Sequence, residues 1–449
     1  MSVLVQKSVR QTLLEMAFPM LAGTFAMNAY SLTDAWFVAQ LGTLPLAAMG
    51  FIMPVIMLLT CVAGGIGTGI TTLVSHAIGR HDQDAASRVV IHGLALTLGI
   101  TTLITIAGYL SIDFIFARLG ADAKTLPLIG DYMSTWYFGA IFMSLPMLGN
   151  GILISSGDSK AASQFMILGT ILNAMLNPIL IFGFPGFPPM GIRGSAMATV
   201  IAQAVSTAWL FHLLRHKHQL LKFEKNGLAG CLESFRKILS FGIPSSLSMI
   251  LMPVSAGIIT SILSRFGPET VAACGAAGRI EMFAFVIPMA LGMSLTPFIS
   301  QNYGAGRMDR IREAFTISTR FALIYGGGVA IVFFLCAPWF ASFFTADPAV
   351  ASTLVIYIRI ISFGYGMMEV HRYCGFVLTG LHKPAFSTAL NVIRALILLI
   401  PLACLGAHFG GVRGVFCARL ATDLLAGSIG LICVRCVLRA RQRNETCPS

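Results

Sequence analysis

The first long apolar run of the chain carries a carboxylate, Asp34, toward its far end. An ionisable side chain inside an apolar helix costs free energy unless it faces water, a partner or a cavity. A lone carboxylate in low-dielectric surroundings favours its neutral form, so it can take up and release a proton. The alternative is a helix that ends near Thr33 and leaves Asp34 in water, but Ala35-Trp36-Phe37-Val38 continues the apolar run. Asp34 is therefore the first candidate for ion chemistry.

Several uncharged polar side chains share the first half of the chain with Asp34. Asn173 and Asn177 are four residues apart and so share one face of a helix. Their carboxamides can hydrogen-bond a carboxylate or offer oxygens to a small cation. Each such residue alone is typical of contacts between helices, but as a group they indicate a lined pocket. The candidate ion site comprises Asp34, Asn173, Asn177 and Thr199, and the candidate pocket Tyr30, Tyr132, Asn150 and Met27.

The second half carries charges inside its own apolar runs. Arg279 and Glu281 lie on one run, and Glu369 and Arg372 on another. Residues two apart do not face each other on a helix, so Arg279 and Glu281 are not predicted to pair. Ion pairs between helices and a role in proton or substrate handling both remain open for these four second-half candidates. Arg394, Arg419 and Asp423 follow them along the chain.

The sequence shows no motif for ATP-driven transport or for enzymatic catalysis. It contains no G-x-x-x-x-G-K-[ST] loop for ATP, no H-E-x-x-H motif and no arrangement of Ser, His and Asp typical of hydrolases. The ten cysteines show no even-spaced framework. We therefore expect no enzyme activity, no catalytic residue, no metal site and no cofactor apart from a coupling ion.

The composition indicates the class of protein that carries these candidate residues. Hydrophobic residues make up 56% of the 449-residue chain and charged residues 11%, against roughly 25% charged in soluble domains. Such a chain is predicted to be an all-α integral membrane protein, because its apolar runs reach the roughly 20 residues of a spanning helix. About twelve runs meet this length, near 13–38, 47–73, 89–112, 132–155, 162–184, 194–214, 240–264, 270–299, 317–338, 353–378, 385–407 and 414–434.

The chain consists of two similar halves, which form an internal repeat. Pro19 and Pro244 open matching apolar runs at an offset of 225 residues (244 less 19), and Asp34 then lies opposite Ile259. Repeated halves are typical of secondary transporters, and six spans per half make the two repeats parallel. We predict a six-helix lobe over 1–214, a basic cytoplasmic linker over 215–237 and a second six-helix lobe over 238–449. An unmatched carboxylate in one half suggests that this half binds the coupling ion.

Basic residues predict the orientation. Roughly twenty Lys and Arg side chains fall on the side of the termini and five on the other side. By the positive-inside rule both termini are therefore expected to be cytoplasmic. The same distribution accounts for the formal net charge of +12 without a role in nucleic-acid binding.

Five stretches, spread over nearly the whole chain, carry a family resemblance. They are Pro19 through Thr33-Asp34-Ala35-Trp36-Phe37-Val38-Ala39-Gln40-Leu41-Gly42, Ser155-Ser156-Gly157-Asp158-Ser159-Lys160, Leu172-Asn173-Ala174-Met175-Leu176-Asn177-Pro178, Gly194-Ser195-Ala196-Met197-Ala198-Thr199 and Ser300-Gln301-Asn302-Tyr303-Gly304-Ala305-Gly306-Arg307. Together they resemble the MATE (multidrug and toxic compound extrusion) family of cation-coupled antiporters. The resemblance implies two lobes in a V, rocker-switch alternation and a first-helix acid at Asp34. Some members carry Asp where this chain has Asn177. We prefer the DinF-type branch, with coupling at Asp34, over the NorM-type branch.

These observations predict a prokaryotic antiporter of the inner membrane that exports amphipathic, cationic organic compounds against inward H⁺ flow. Protonation of Asp34 is expected to rearrange its hydrogen bonds and bend the first helix near Pro19. We expect a monomer whose partners are small organic substrates and membrane lipids. Three alternatives stay open: Na⁺ coupling at the same site, a flippase for lipid-linked precursors, and a passive channel.

Overall fold

The chain folds almost entirely into α-helices. The structure, a computed structural model, describes residues 3–184, 186, 188–221 and 230–446. The helices of the first half are α1 (Val3–Gln6), α2 (Val9–Ala39), α3 (Thr43–Gly79), α4 (Gln83–Leu110), α5 (Ile112–Arg118), α6 (Leu126–Phe138), α7 (Ala140–Ser155), α8 (Ser159–Phe182) and α9 (Ile192–His212), with a π-helical turn at Leu213–Lys217.

The second half repeats this succession of long helices. It comprises α10 (Cys231–Leu263), α11 (Pro268–Ala284), α12 (Val286–Gly304), α13 (Met308–Phe344), α14 (Pro348–Ile361), α15 (Tyr365–Gly380), α16 (Pro384–Val392) and α17 (Ile400–Thr446), with a π-helical stretch at Ile393–Leu399. No β-strand occurs in the part of the chain that the structure describes. The predicted all-α membrane architecture is confirmed.

Short polar turns start several of these helices. The side chain of Asp82 accepts a hydrogen bond from the Ala85 backbone N–H and so caps α4. Asp158 caps α8 through the N–H of Ala161 in the same way. Such caps satisfy backbone donors that the first turn of a helix leaves free. They therefore favour the start of α4 and α8 at these residues.

The described residues contain eight helical segments long and apolar enough to cross a membrane, or ten when two bent pairs each count as one. The segment Pro384–Gln442 has 59 residues and is divided by non-helical backbone at Gly411, so it is long enough for two crossings. Helix α2, with 31 residues, is also long enough to cross. Counted in this way, the spans number twelve, as the sequence predicts.

The two bends are details that the sequence runs do not reveal. Helices α6 and α7 meet at 54° at Gly139, and α11 and α12 meet at 58° at Phe285. A Cβ on Gly139 would lie only 2.2 Å from Val200 of α9, so glycine permits the close approach at the first bend. At the second bend Pro288 lacks the N–H that would bond the carbonyl of Ala284. The hydroxyl of Tyr325 donates to that carbonyl at 2.8 Å instead.

The chain divides into two compact units. The first comprises Met1–Gln6 and Glu15–Ser246, and the second comprises Lys7–Leu14 and Leu247–Ser449. Each has an apolar core rich in aromatic side chains, which includes Tyr132 and Trp136 in the first and Tyr357 and Phe416 in the second. The predicted lobe boundaries at 214 and 238 stay a prediction. Lys222 and Lys225 of the predicted basic linker lie outside the described residues.

Candidate functional site

Three helices of the first unit bring the candidate ion site together. Helix α2 lies close against α8, because a Cβ on Gly23 would come within 3.2 Å of the Ser163 Cα. Farther along both helices, the hydroxyl of Thr170 on α8 donates to the carbonyl of Ala26 on α2 at 3.1 Å. Helix α9 packs beside α8. The faces that meet carry the polar residues of all three helices.

Asp34 lies in a buried position on α2. Its side chain is 4% exposed, and the helix continues beyond it to Ala39. Its Oδ1 accepts hydrogen bonds from Asn177 Nδ2 at 3.2 Å and from Ser195 Oγ at 2.8 Å. The alternative of a water-exposed helix end is therefore wrong, since the carboxylate is held by uncharged donors from α8 and α9.

The hydrogen bonds continue from the carboxylate as an unbroken chain. Asn177 Nδ2 also donates to Asn173 Oδ1 at 3.1 Å, and Asn173 Nδ2 donates to Thr199 Oγ1 at 3.0 Å. Thr199 Oγ1 and the hydroxyl of Tyr30 are 2.9 Å apart. We call Asp34, Asn177, Asn173, Thr199, Tyr30 and Ser195 the Asp34 network. It joins a carboxylate to a phenol through neutral groups only.

One acceptor of the Asp34 network is left over. Asn177 is fully buried, and its Oδ1 has no hydrogen-bond partner. A buried acceptor without a donor costs free energy, so such an atom needs an explanation. The nitrogen and oxygen of an amide exchange places when the side chain turns over. Oδ1 of Asn177 is thus available either to a proton carried by Asp34 or to a small cation.

Ser195 was missed as a site residue by the sequence interpretation, although its stretch was recognised. It is fully buried and forms the shorter of the two hydrogen bonds to Asp34. The signal was its spacing: Ser195 and Thr199 are four residues apart on α9, as Asn173 and Asn177 are on α8. Two such pairs on neighbouring helices form two rows of polar groups that face each other.

Of the other site residues predicted for the first unit, some lie beside the Asp34 network and others do not. Tyr132 is buried and close enough to Asp34 and Tyr30 for electrostatic interaction. Asn150 on α7 is partly buried, forms no hydrogen bond with the Asp34 network and has an unpartnered Oδ1. Met27 is 46% exposed on α2. Pro19 lies inside α2, which continues through it as helix. The structure thus places Tyr132, but not Asn150, beside the candidate ion site.

In the second unit one charged candidate, Glu281, forms an ion pair with another helix. Arg419 of α17 donates to both carboxylate oxygens of Glu281 on α11, each at 3.0 Å. The hydroxyls of Tyr357 and Tyr365 donate to Glu281 Oε1 at 2.9 and 3.2 Å. Arg279 is exposed and forms no ion pair with any described residue. Glu281 is therefore fully compensated by a partner that lies 138 residues away along the chain.

A second set of charges lies on α15, α17 and the π-helical stretch. Arg394 donates to Asp423 at 2.7 Å, and Arg372 lies 3.0 Å from Glu369 one turn along α15. Both oxygens of Glu369 lack a hydrogen bond of acceptable geometry. The two acids and two arginines balance in charge. No group of three His, Cys, Asp or Glu side chains among the described residues is arranged to hold a metal ion.

Comparison with known proteins gives consistent results over nearly the whole chain. The MatE family model matches residues 19–179 and 244–405, one match in each repeat. A FAD transporter of Shewanella oneidensis is 34% identical over 94% of both chains. The multidrug export protein MepA of Staphylococcus aureus is 24% identical over 98% of this chain and 96% of its own.

Solved structures agree with these sequence relatives. The Vibrio cholerae MATE transporter VcmN in its bent form superimposes with a TM-score of 0.91 at 28% identity, over 96% of this chain and 97% of its own. The outward-facing conformation of a multidrug resistance MATE family transporter of the MOP superfamily gives a TM-score of 0.91 at 26% identity, over 98% of both chains.

Proposed function

Since the chain belongs to the MATE family of membrane transporters, we propose that it is an antiporter that exports organic compounds in exchange for inward H⁺, with Asp34 as the coupling carboxylate. The observation that supports this is the Asp34 network: an acid 4% exposed, held only by uncharged groups. Without a cation beside it, the carboxylate has no fixed partner that would keep it permanently charged. Its charge state can then respond to protons.

The observed hydrogen bonds fit an ionised Asp34. A carboxylate only accepts hydrogen bonds, and both Asn177 Nδ2 and Ser195 Oγ donate to it. The donors diverge from Asn177: its Nδ2 donates to Asp34 on one side and to Asn173 Oδ1 on the other, and Asn173 Nδ2 donates onward to Thr199 Oγ1. Asn177 uses its nitrogen twice, which is why its oxygen is left without a partner.

Protonation of Asp34 reverses this pattern. The acid then has a hydroxyl to donate, and Asn177 must turn its oxygen toward it. The turned amide would bring its oxygen against Asn173 Oδ1, so Asn173 has to turn as well and donate back to Asn177. Thr199 would then donate to Asn173 and accept from Tyr30, and the amide nitrogen of Asn177 takes the unpartnered place that its oxygen held. One proton thus changes the donor directions along three helices.

This change is proposed to act on the shape of α2. Helix α2 contains Pro19, which has no N–H to bond the carbonyl of Glu15, so the helix is weakest there. Tyr30 and Asp34 are the α2 members of the Asp34 network and lie on the far side of this weak point. A ligand or proton drives alternation only through different affinity in the two states. The reversed network supplies that difference for the proton.

The driving force is sufficient for substantial accumulation. A membrane potential of 100 mV contributes about 2.3 kcal/mol for each charge that crosses. At about 1.4 kcal/mol per tenfold ratio, each net positive charge that moves inward in a cycle supports a concentration gradient of several tens-fold. Sodium is the alternative coupling ion. It would be better held by two carboxylates than by Asp34 and the neutral oxygens of Asn177 and Thr199.

Amphipathic organic cations are the proposed substrate class, by analogy with multidrug relatives such as MepA. A second candidate is FAD, favoured by the 34% identity with a FAD transporter over 94% of both chains. FAD is amphipathic but carries negative phosphates, so charge separates the two candidates. We also propose that the protein lies in the inner membrane as a monomer with both termini in the cytoplasm. The DinF-type branch remains a prediction.

Transport into or out of proteoliposomes tests the proposal. The purified protein is given a hydrophobic organic cation or FAD under an imposed pH gradient or Na⁺ gradient, one at a time, at clamped potential. The Asp34→Asn variant should reduce proton-driven transport to the level of protein-free vesicles. Asp131→Asn, which changes an exposed acid on α6 of the same unit, should behave as the parent.

Three outcomes would contradict the proposal. Full gradient-driven transport by Asp34→Asn would remove this carboxylate from coupling. Transport driven by Na⁺ but not by pH would replace the coupling ion. Single-channel currents in planar bilayers, or movement of lipid-linked precursors without organic solutes, would support the channel or flippase alternatives instead.

A further inference from the structure

A basic groove lies on the second unit, between the first turns of α13 and the last turns of α17. Its volume is about 500 Å³. Four arginines line it, and no acidic side chain does so among the described residues. The lining residues are Arg312, Phe315, Thr316, Thr319, Arg320, Leu323, Leu431, Arg435, Leu438, Arg439 and Gln442. We call this feature the arginine groove.

The arginines reach the groove because of their helical spacing. Arg312 and Arg320 are eight residues apart on α13, and Arg435 and Arg439 are four apart on α17, so each pair shares one face of its helix. Two rows of guanidinium groups therefore face a common space. Like charges brought together in this way repel each other unless an anion lies between them. Nothing in the Asp34 network or the ion pairs of the second unit requires this arrangement.

Two donors in the arginine groove lack partners. Nη2 of Arg312 and Oγ1 of Thr319 are buried, and neither forms a hydrogen bond. Both atoms belong to residues that line the groove. Buried donors are nearly always paired, because an unpaired one loses its hydration without compensation. Arginine and hydroxyl donors beside each other are suited to phosphate oxygens, which accept several hydrogen bonds and carry the opposite charge.

The depth of the arginine groove is that of the membrane interface. Helix α13 has 37 residues, or about 55 Å, against a hydrocarbon core of about 30 Å. Its charged residues all precede Phe321, and from there to Phe344 the helix carries no charge. The apolar part is therefore the part that crosses. Arg320 lies at its boundary, and Arg312 lies about 12 Å farther out on the polar side. The positive-inside rule assigns this end to the cytoplasmic leaflet.

The apolar lining continues in the direction of the membrane. Leu323 is 44% exposed, and its neighbour Ile324 is 76% exposed. On α17, Leu431 lines the groove beside Ile432, which is 62% exposed. An apolar surface that adjoins a basic groove at the interface matches a molecule with a negative head and hydrocarbon chains. Soluble phosphate would gain nothing from these leucines.

The geometry points to a binding site for an anionic phospholipid of the cytoplasmic leaflet, with its phosphodiester between Arg312 and Arg435 and its acyl chains along Leu323 and Leu431. Basic pockets between helices at the membrane surface bind such head groups, and each nearby arginine contributes about 1 kcal/mol. The ligand is independent of the transported compound, because the arginine groove shares no residue with the Asp34 network.

Lipid titration of the full-length protein in detergent micelles tests this site. Phosphatidylglycerol and phosphatidylcholine are added separately, and bound lipid is measured by native mass spectrometry. The anionic lipid should bind at least tenfold more tightly. Arg312→Gln together with Arg435→Gln should weaken its binding about 30-fold, which is about 1 kcal/mol per arginine. Arg413→Gln, at the other end of the span that ends in the groove, is the matched control and should bind as the parent.

Further measurements separate the possible results. Arg439→Gln changes an exposed side chain and should not disturb folding. It therefore provides a second test if the double variant fails to fold. It should weaken lipid binding about fivefold. Equal affinity for both lipids, or unchanged affinity in Arg439→Gln and the double variant, would overturn the assignment. Competition by inorganic phosphate at the same concentration as the lipid would show a site for a soluble anion, and would overturn it as well.

Discussion

At the scale of single residues, the central feature is an acid whose partners are all neutral. Asp34 is held by Ser195 and Asn177, and the unpartnered Oδ1 of Asn177 marks the position where a second donor is needed. A charged partner, such as the one Glu281 has in Arg419, would fix the charge state. With neutral donors, the protonated and ionised forms of Asp34 are closer in free energy than they would be beside a charged partner. This balance is what a coupling carboxylate requires.

Ser195→Ala tests the newly identified donor. Loss of one hydrogen bond to the ionised carboxylate costs about 1.5 kcal/mol, so we expect proton-driven transport to fall about tenfold at saturating substrate. Ser206→Ala is the matched control, because Ser206 is a fully buried serine on α9 whose hydroxyl has no hydrogen-bond partner. Initial rates in proteoliposomes at equal protein density give the comparison. Equal rates in the two variants would exclude Ser195 from the site.

Asn177→Asp tests the charge count of the site. A second carboxylate beside Asp34 offers two anionic oxygens to a cation, so Na⁺ should gain in the competition with H⁺. We expect a Na⁺ gradient to drive transport in this variant at clamped pH, where it does not in the parent. Asn150→Asp introduces the same charge outside the Asp34 network and should stay without response to Na⁺. A parent that already responds to Na⁺ would contradict the single-carboxylate interpretation.

At the scale of elements, the start of α8 is tied to the segment that follows α9. Asp158 accepts a hydrogen bond from the Ala161 N–H, forms an ion pair with Lys217 and lies 3.2 Å from His218 Nε2. The same segment continues to Leu220, whose carbonyl accepts from Ser87 on α4 at 3.0 Å. These contacts fix the ends of two helices that carry the Asp34 network. Their loss should therefore affect stability before it affects transport.

Asp158→Ala removes the cap, the ion pair with Lys217 and the contact with His218. We expect a loss of about 1–2 kcal/mol in the free energy of unfolding, mostly from the cap, since ion pairs near the surface contribute little. Thermal unfolding in detergent measures this. Asp84→Ala, an exposed acid in the first turn of α4, is the control and should differ little from the parent. A lower melting temperature for Asp84→Ala than for Asp158→Ala would contradict the role of the cap.

The pH dependence of this contribution has a definite sign. The hydrogen bond from His218, aided by Lys217, holds the pKa of Asp158 below its ordinary value. A depressed pKa means that the ionised form stabilises the folded state, so the contribution is present above the unfolded value of about 3.9 and is lost as pH falls through the folded value. The difference in melting temperature between parent and Asp158→Asn should therefore be constant near neutral pH and shrink in acid. A difference that grows in acid would contradict it.

At the scale of the whole molecule, two repeats of one sequence have become chemically unequal. At the offset of 225 residues Asp34 corresponds to Ile259 and Tyr132 corresponds to Tyr357. Thr199 corresponds to Arg419 at the later offset of 220 (413 less 193). The second unit therefore has a guanidinium where the first has a hydroxyl, and that guanidinium is paired with Glu281. The first unit carries an acid with neutral partners, and the second carries a compensated ion pair.

Glu281→Gln tests this division of roles. It leaves Arg419 without its carboxylate partner, and such a break costs about 2–4 kcal/mol for a pair that is largely removed from water. We expect lower thermal stability but an unchanged ratio of protons to substrate in the protein that remains folded. Glu269→Gln, an exposed acid on α11, is the matched control. Normal stability combined with loss of proton coupling would assign the coupling to the second unit instead.

The sequence by itself determined the class and the repeat, and it predicted the principal acid. Unbroken apolar runs permit only membrane-spanning helices, because hydrocarbon offers no partner to the backbone. The offset between Pro19 and Pro244 revealed two halves, and the absence of a counterpart singled out Asp34. The spacing of Asn173 and Asn177 predicted a shared face. These properties depend on composition and periodicity, which are local to the sequence.

The tertiary structure alone decided which groups meet. It brought Ser195 to Asp34, paired Glu281 with Arg419 rather than leaving it beside Arg279, and left Asn150 outside the Asp34 network. It also bent two spans, one at Gly139, whose lack of a side chain permits close contact with Val200, and one near Pro288, which lacks a backbone N–H. Periodicity gives the face of a helix on which a residue lies, but not the helix that this face contacts. Which helix is contacted depends on packing between segments far apart in the chain. This packing surrounds Asp34 with the polar groups that make it a candidate site.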